Sequence, residues 1–252
     1  AWSVAALMEG MNSGAVTASF NDAKDSDVII VIGARPTQNH PVAATFLKNA
    51  AKRGAKLYIM DPRKQDLSRH ATRHLQFKAG QDVALLNAMI HTIIDEGLTD
   101  IQYIQANTEG FEELKENSKK FSPEDMEAVC GIEASVIREV AREFATAEKS
   151  IIFWGMGISQ HVHGTDNARC LIALSMITGL IPMVYPDYKS VEAADIRGTY
   201  EELWGVDLPR ERGLTVVEII HAILADEIKA MYIMGENPAM SDPDAQHARE
   251  AL

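Results

Sequence analysis

Cysteine is nearly absent. The 252 residues hold two, Cys130 and Cys170, with no C-x-x-C spacing. That excludes a disulfide framework and any zinc or iron–sulfur centre ligated by thiolates of this chain alone. Both cysteines sit in apolar, helix-like surroundings, which predicts buried free thiols. No apolar run approaches the roughly 18–20 residues of a membrane span. No basic and then apolar leader is visible, which says little in a chain that begins at Ala1 without Met; a cytoplasmic location is the expectation. Positive charge is also scarce: 24 Lys and Arg face 36 Asp and Glu, a formal net charge of −12. Nucleic acid is therefore not the expected partner, because phosphate backbones need clustered cations. An anionic small ligand stays compatible, since helix N-termini and a few Arg bind phosphate on an acidic protein. Walker A, G-x-S-x-G, kinase and H-E-x-x-H signatures are missing. The H-x-H of His161 and His163 is a weak metal signal, and a lone loop histidine such as His40 is usually structural or exposed.

What is there is an α/β pattern. Apolar residues are 46% and charged residues 24%, the balance of a globular chain able to bury a core. The length suits one large or two small domains. An N-terminal helix is expected from Val4, Leu7, Met8 and Met11 at helical spacing, ending near Gly14. Val28–Ile32 is apolar at every position, as in a parallel strand buried on both faces. A helix over Pro41–Ala51 and a strand over Lys56–Met60 complete a βαβ unit. A short strand, His74–Phe77, and a long helix, Asp82–Glu96, follow; Val83, Leu86, Ile90, Ile93 and Ile94 face inward. Residues 100–147 read as wholly helical. Asp100 starts one helix, and Ser122 to Asp125 resembles a capping signal. Val136, Ile137, Val140, Ala141 and Phe144 form one face of a helix over Glu133–Ala147. Ile151–Trp154 is a further strand, its loop runs to Gly164, and Arg169–Thr178 is a helix. After Gly179 the pattern turns irregular. A helix near Thr199–Trp204, another over Thr215–Leu224, a strand over Met231–Met234 and a helix over Asp242–Leu252 are expected there. A domain boundary is placed near Gly179, and the second domain, 180–252, has too few strands for a sheet.

Three strands end on glycine-bearing loops, at Gly33, Gly155 and Gly235. A fourth ends in Asp61-Pro62-Arg63. Ligands of open α/β sheets sit off the carboxyl ends of strands. Glycine lets backbone N–H groups approach phosphate there, and the next helix adds its dipole. The alternative is a glycine kept for packing alone. Asp61 and Asp82 could each accept hydrogen bonds from a ribose or guanine edge, or could cap a helix. Arg35 and Arg63 could clamp phosphate.

At these loops the sequence resembles the large subunits of molybdenum or tungsten formate dehydrogenases, molybdopterin oxidoreductases of the dimethyl sulfoxide reductase type. The most specific passages are "WGMGISQHVHGTDNARCLIALSMITG", "PMVYPDYKSV", "MGENP" and "SVAALMEGMNSGAVT". The G-x-x-P-x-x-x-HP loop from Gly33 and the "DPR" from Asp61 are shared more broadly. The resemblance implies a Rossmann-like three-layer sheet domain over 1–179, with a helical insertion, and the start of a second cofactor-binding α/β domain. It implies a bis-molybdopterin guanine dinucleotide cofactor carrying Mo or W. Gly33, Arg35 and Gln38 match the first guanine dinucleotide loop, although Asn is commoner in the family at the position of Arg35. Asp61 and Arg63 match the second strand-end contact, and Gly80 with Asp82 the K-x-G-x-D contact. Gly155, Met156 and Gln160 match the loop passing the pterins. Gly235, Glu236 and Asn237 match the loop gripping the other dinucleotide. The family's Cys-His pair at the metal falls upstream of Ser3, and its "RGQNNVQG" segment, with the formate-holding Arg, would follow Gly179, where Leu180 stands instead. No catalytic residue and no metal ligand is therefore expected among these 252 residues. The implied parent enzyme oxidises formate and passes electrons to 4Fe-4S clusters and electron-transfer subunits. The isolated chain is expected to be inactive and to retain little cofactor. The competing expectations are a nitrate reductase-like molybdopterin enzyme and a cofactor-free binding or folding module.

Overall fold

The computed structural model describes residues 2–11, 19–179, 219, 222–231 and 250–251. The chain divides into two compact units, Ala1–Tyr188 and Lys189–Leu252. Every element named below belongs to the first. Of the readings beyond Gly179, parts of the Thr215–Leu224 helix and of the last helix fall on described residues and are helical; Met231, the first residue of the expected Met231–Met234 strand, is described and is not in a strand; the rest lie outside the described residues.

Four parallel strands form one sheet in the order β3-β2-β1-β4. They are β1 (Val28–Ile32), β2 (Lys56–Met60), β3 (Arg73–Leu75) and β4 (Ser150–Trp154). Val28 lies beside Lys56 on one side and Ser150 on the other, so β1 is central to the ladder. Its alternate residues enter two different cores. Val28, Ile30 and Ile32 join Tyr58 and Met60 against α4 (Asp82–Asp95), α8 (Ala134–Thr146) and α10 (Gly164–Ile177). Ile29 and Val31 join Leu57 and Ile59 against Leu47 and Ala50 of α3 (Pro41–Lys52). Helices on both faces make three layers, and this is why all five positions of β1 are apolar.

The helical insertion is four short helices: α5 (Ile101–Asn107), α6 (Phe111–Ser118), α7 (Pro123–Cys130) and α8. Their starts are written in side chains. Asp100 Oδ1 accepts from the Tyr103 amide at 2.9 Å, and Ser122 Oγ accepts from the Asp125 amide at 3.2 Å while donating to its carboxylate at 2.6 Å. A Ser122→Ala change is expected to cost about 1 kcal/mol, the usual value of such a cap. Chemical denaturation with an unchanged slope checks it. Of the predicted inner face of α8, Ile137, Val140, Ala141 and Phe144 are at 0% exposure and Val136 is half-buried against the same core. Its outer rows tie to the sheet edge through Lys56–Glu143 (2.6 Å) and Arg73–Glu139 (2.9 Å). The Tyr58 hydroxyl also donates to Glu143, and burial followed by that bond raises the phenol well above its usual pKa.

Several boundaries differ from the sequence reading. The third strand is Arg73–Leu75 rather than His74–Phe77, because the chain leaves the ladder after Leu75 and the Lys78 amide donates to Cys130 O (2.8 Å) instead. α4 is buried nearly all round: Leu86, Ile90, Ile93 and the flanking Ala88 are buried as expected, Val83 and Ile94 are half-buried, and the buried set extends to Leu85 and Met89. α10 begins at Gly164, five residues before Arg169. Its first turn is polar and carries no apolar signal, yet Asn167 is buried and donates to Ile158 O at 3.0 Å. In α1 (Trp2–Met11), Leu7 is buried beside Ala6 while Val4 and Met8 stay exposed. The reason is close helix packing: a Cβ on Gly10 would lie 3.2 Å from Ile172 Cγ2, so α1 meets α10 along its small residues. Cys130 and Cys170 are free and buried as predicted, and burial raises the Cys170 thiol to about 12. Among the described residues no helix is long and apolar enough to cross a membrane.

Candidate functional site

The strand order reverses at β1. The chain leaves β1 through α2 (Pro36–Asn39) and α3 onto one face, and leaves β4 through α9 (Met156–Ser159) and α10 onto the other. Loops that diverge in this way open a crevice at the carboxyl edge. A cleft of about 500 Å³ lies there, within the range that holds a nucleotide-sized ligand. It is lined by the ends of β1, β2 and β4 and by the first turn of α4.

The structure brings seven of the predicted residues to this one cleft: Gly33, Arg35, Asp61, Arg63, Asp82, Gly155 and Met156. Gln38 and Gln160 are exposed near its rim and do not line it. Gly80 is also off the wall; with φ +79 and open space around it, it makes the turn that brings Asp82 in. Gly235, Glu236 and Asn237 lie outside the described residues.

Gly33, Gly155 and Gly157 sit where backbone meets backbone. Gly33 has φ +55, and a Cβ there would lie 2.7 Å from Ile158 N and 2.8 Å from Gly157 C. A Cβ on Gly157 would lie 2.6 Å from Gly33 O, and the Gly157 amide donates to that same oxygen at 2.9 Å. A Cβ on Gly155 would meet Ala34 Cβ at 2.9 Å. The loops after β1 and β4 are thus fused backbone to backbone, and this contact is the cleft floor. Packing, the alternative left open by the sequence, accounts for Gly33. Gly157 was missed by the sequence reading, although a second glycine two residues after Gly155 was a readable sign.

Asp61 is held rather than capping a helix. Its Oδ1 accepts from the Arg63 amide at 2.8 Å and its Oδ2 from Gln65 Nε2 at 3.1 Å. Gln65 Nε2 also donates to Ala34 O at 3.0 Å, tying the β1 and β2 loops together. His74 Nε2 lies 3.0 Å from Asp61 O. Each carboxylate oxygen keeps a free lone pair for a ligand donor. No sequence signal marked Gln65, because its role depends on two loops meeting. Asp82 is 3% exposed and is the first residue of α4, so it is not the cap; Gln81 holds that position. Burial raises its carboxyl above the usual range, the nearby Asp61 raises it further, and His161 works the other way. Arg35 Nε is buried with no partner, while its Nη2 reaches Asp66 Oδ2 only at 3.8 Å. Phe153 and Trp154 supply an apolar wall, and Phe20 stacks on Phe153 at 5.3 Å and 11°.

Two carboxylates, two guanidinium groups, an apolar wall and a helix N-terminus converge here. Carboxylates suit hydroxyl or N–H edges, and guanidinium groups suit phosphate. Among the described residues no cluster of three or more His, Cys, Asp or Glu could hold a metal ion. Such an arrangement can hold an anionic ligand that also carries hydrogen-bond donors.

Comparison with known proteins places these features in context. The molybdopterin oxidoreductase family profile matches residues 4–252. Formate dehydrogenase H of Escherichia coli (strain K12) is 35% identical, over 99% of this chain and 39% of its own length. The F420-dependent formate dehydrogenase subunit alpha of Methanocaldococcus jannaschii is 38% identical, over 95% of this chain and 39% of its own length. The chain thus spans about two fifths of these relatives. The Escherichia coli match runs over 276 positions, more than this chain has residues. The assimilatory nitrate reductase catalytic subunit of Bacillus subtilis (strain 168) matches at 29% over 94% of this chain and 37% of its own length. Among solved structures, acetylene hydratase from Pelobacter acetylenicus shares the fold, with TM-score 0.73 and 23% identity over 99% of this chain and 40% of that one.

Proposed function

We propose that this chain, which belongs to the molybdopterin oxidoreductase family, is the part of a formate dehydrogenase-type catalytic subunit that grips one guanine dinucleotide of a bis-molybdopterin guanine dinucleotide cofactor. The observation that carries the reading is the convergence of Arg35, Asp61, Arg63 and Asp82 on one cleft at the strand-order reversal. The buried, partnerless Arg35 Nε fits an anionic group, and the buried Asp82 carboxylate fits a donor edge. Asp61 and Asp82 would accept from the guanine or ribose, Arg35 and Arg63 would face the pyrophosphate, and Phe153 and Trp154 would keep water from that wall. The loop at Gly235, Glu236 and Asn237, in a second cofactor-binding domain over 180–252, would hold the other dinucleotide. When bound, the cofactor would supply a redox-active Mo or W for two-electron chemistry.

The proposed substrate of the whole enzyme is formate, because two relatives named as formate dehydrogenases match nearly the whole chain at 35% and 38% identity. Electrons would then pass to 4Fe-4S clusters and partner subunits. A cytoplasmic location is part of the same proposal. The same reading holds that the Arg-bearing segment expected after Gly179 is missing here. A polypeptide of these 252 residues is therefore expected to oxidise no formate and to retain little cofactor. The nitrate reductase match favours the runner-up, a nitrate-reducing enzyme with the same cofactor cleft.

The test uses the full-length protein. It is denatured and its released small molecules are identified, and formate and nitrate are compared as electron donor and acceptor. Stoichiometric pterin and guanine nucleotide with formate turnover is the expected result. Nitrate turnover alone selects the runner-up, and the absence of any nucleotide selects a cofactor-free module.

A further inference from the structure

A protein of net charge −12 repels an anionic dinucleotide at a distance. Yet the charge is unevenly distributed. Residues 33–81 contain ten Lys and Arg and only two carboxylates, Asp61 and Asp66; the remaining sequence holds 14 Lys and Arg against 34 Asp and Glu. Those 49 residues fold as one contiguous edge of the sheet, from the loop after β1 through α3 and β2 to β3. Lys56 and Arg73 are neutralised by Glu143 and Glu139. Lys48, Lys52, Lys64, Arg63 and Arg69 form no ion pair among the described residues.

These cations are neighbours in space. The 3-10 segment Asp66–His70, which carries Arg69, packs against α3, which carries Lys48 and Lys52, and the lowered pKa of His70, due first to desolvation and then to Arg69, Lys48 and Lys52, agrees with that packing. The same segment meets the cleft through the 3.8 Å approach of Asp66 to Arg35. A basic surface therefore runs from Arg35 and Arg63 at the cleft, past Lys64, to Arg69, Lys52 and Lys48 on the α3 face.

We propose that this basic face steers the anionic dinucleotide into the cleft, with Lys48, Lys52 and Arg69 acting through their field and not by contact with the bound ligand. The proposal rests on the cofactor reading given above. Fields of this kind raise association rates by about 10–1000-fold and weaken as salt shortens the screening length to about 10 Å at 0.1 M. The release rate, which reports contacts in the bound state, is untouched.

The experiment uses full-length protein made in cells that cannot synthesise the pterin, with fluorescently labelled GDP as the probe in stopped flow. Association is followed from low to high salt. K48E/K52E/R69E is expected to slow association about tenfold at low salt, converge with the parent at high salt and leave release unchanged. K48Q/K52Q/R69Q is expected to fall between. E112K/E113K/E116K on α6 moves the net charge by a similar amount in the opposite direction, away from this face, and is expected to change association less than twofold. Steering is overturned if association follows net charge wherever it is placed, if it is independent of salt, or if the triple reversal acts on release. Failure of the parent protein to bind the probe counts against the cofactor reading itself and removes steering with it.

Discussion

Gly33→Val is expected to lose about 3–5 kcal/mol of stability and to be purified without cofactor. Two costs combine. A β-branched residue at φ +55 pays for a left-handed backbone that only glycine adopts freely. Its Cβ also lies 2.7 Å from Ile158 N and 2.8 Å from Gly157 C, and both obstacles are backbone that cannot rotate aside. Overpacking alone costs about 1–3 kcal/mol. Relief requires the β1 and β4 loops to part, which breaks the Gly157 to Gly33 hydrogen bond and removes the cleft floor. Gly80→Ala is the control. At φ +79 with nothing within 4 Å it carries the backbone cost alone, about 1–2 kcal/mol. Urea denaturation of the two variants, with cofactor content measured alongside, checks the prediction. Equal losses in both would show that the loop contact at Gly33 contributes nothing.

Asp82→Asn is expected to move stability and binding in opposite directions. Burial raises the Asp82 carboxyl above its ordinary value, so the fold binds a proton more readily than the unfolded chain does. Stability then falls as pH rises from the ordinary carboxylate value through the raised folded one, and the full penalty is present above it. Asparagine carries no charge to bury, so the cofactor-free protein should melt at a higher temperature, with a flatter pH dependence across that window. Binding loses a charged acceptor worth about 1.5–3 kcal/mol, so guanine nucleotide affinity should drop about 10–100-fold. Thermal melts across pH and calorimetric titration with GDP read the two effects separately. A variant that is less stable and binds unchanged would make Asp82 a structural group. A buried charge retained at a cost to the fold is what a binding group looks like.

Much of the local structure was legible. β1 and β2 fall where the apolar runs put them, because a strand segment buried on both faces must be apolar throughout, as all of β1 and, after the exposed Lys56, the rest of β2 are. The caps at Asp100 and Ser122 were readable because an N-cap acts on an amide three residues away. The start of α10 was not, since its first turn is stabilised by Asn167 bonding to Ile158, a contact apolar periodicity does not record. The third strand ended early for the same kind of reason, a pairing of Lys78 with Cys130 more than fifty residues on.

The same divide runs through the site. Sequence by itself determined which loops follow the strands, which carry Arg, Asp and Gly, and that they resemble a dinucleotide-binding family, because these are properties of short segments. Tertiary structure decided that the loops at 33, 61 and 155 share one cleft, that Gln65 ties two of them together, and that Gly33 is glycine to admit another backbone. Those facts follow from strand order and from contacts between separate loops, 31 residues apart for Gln65 and Ala34 and more than a hundred for Gly33 and Gly157, which packing selects and no local pattern encodes.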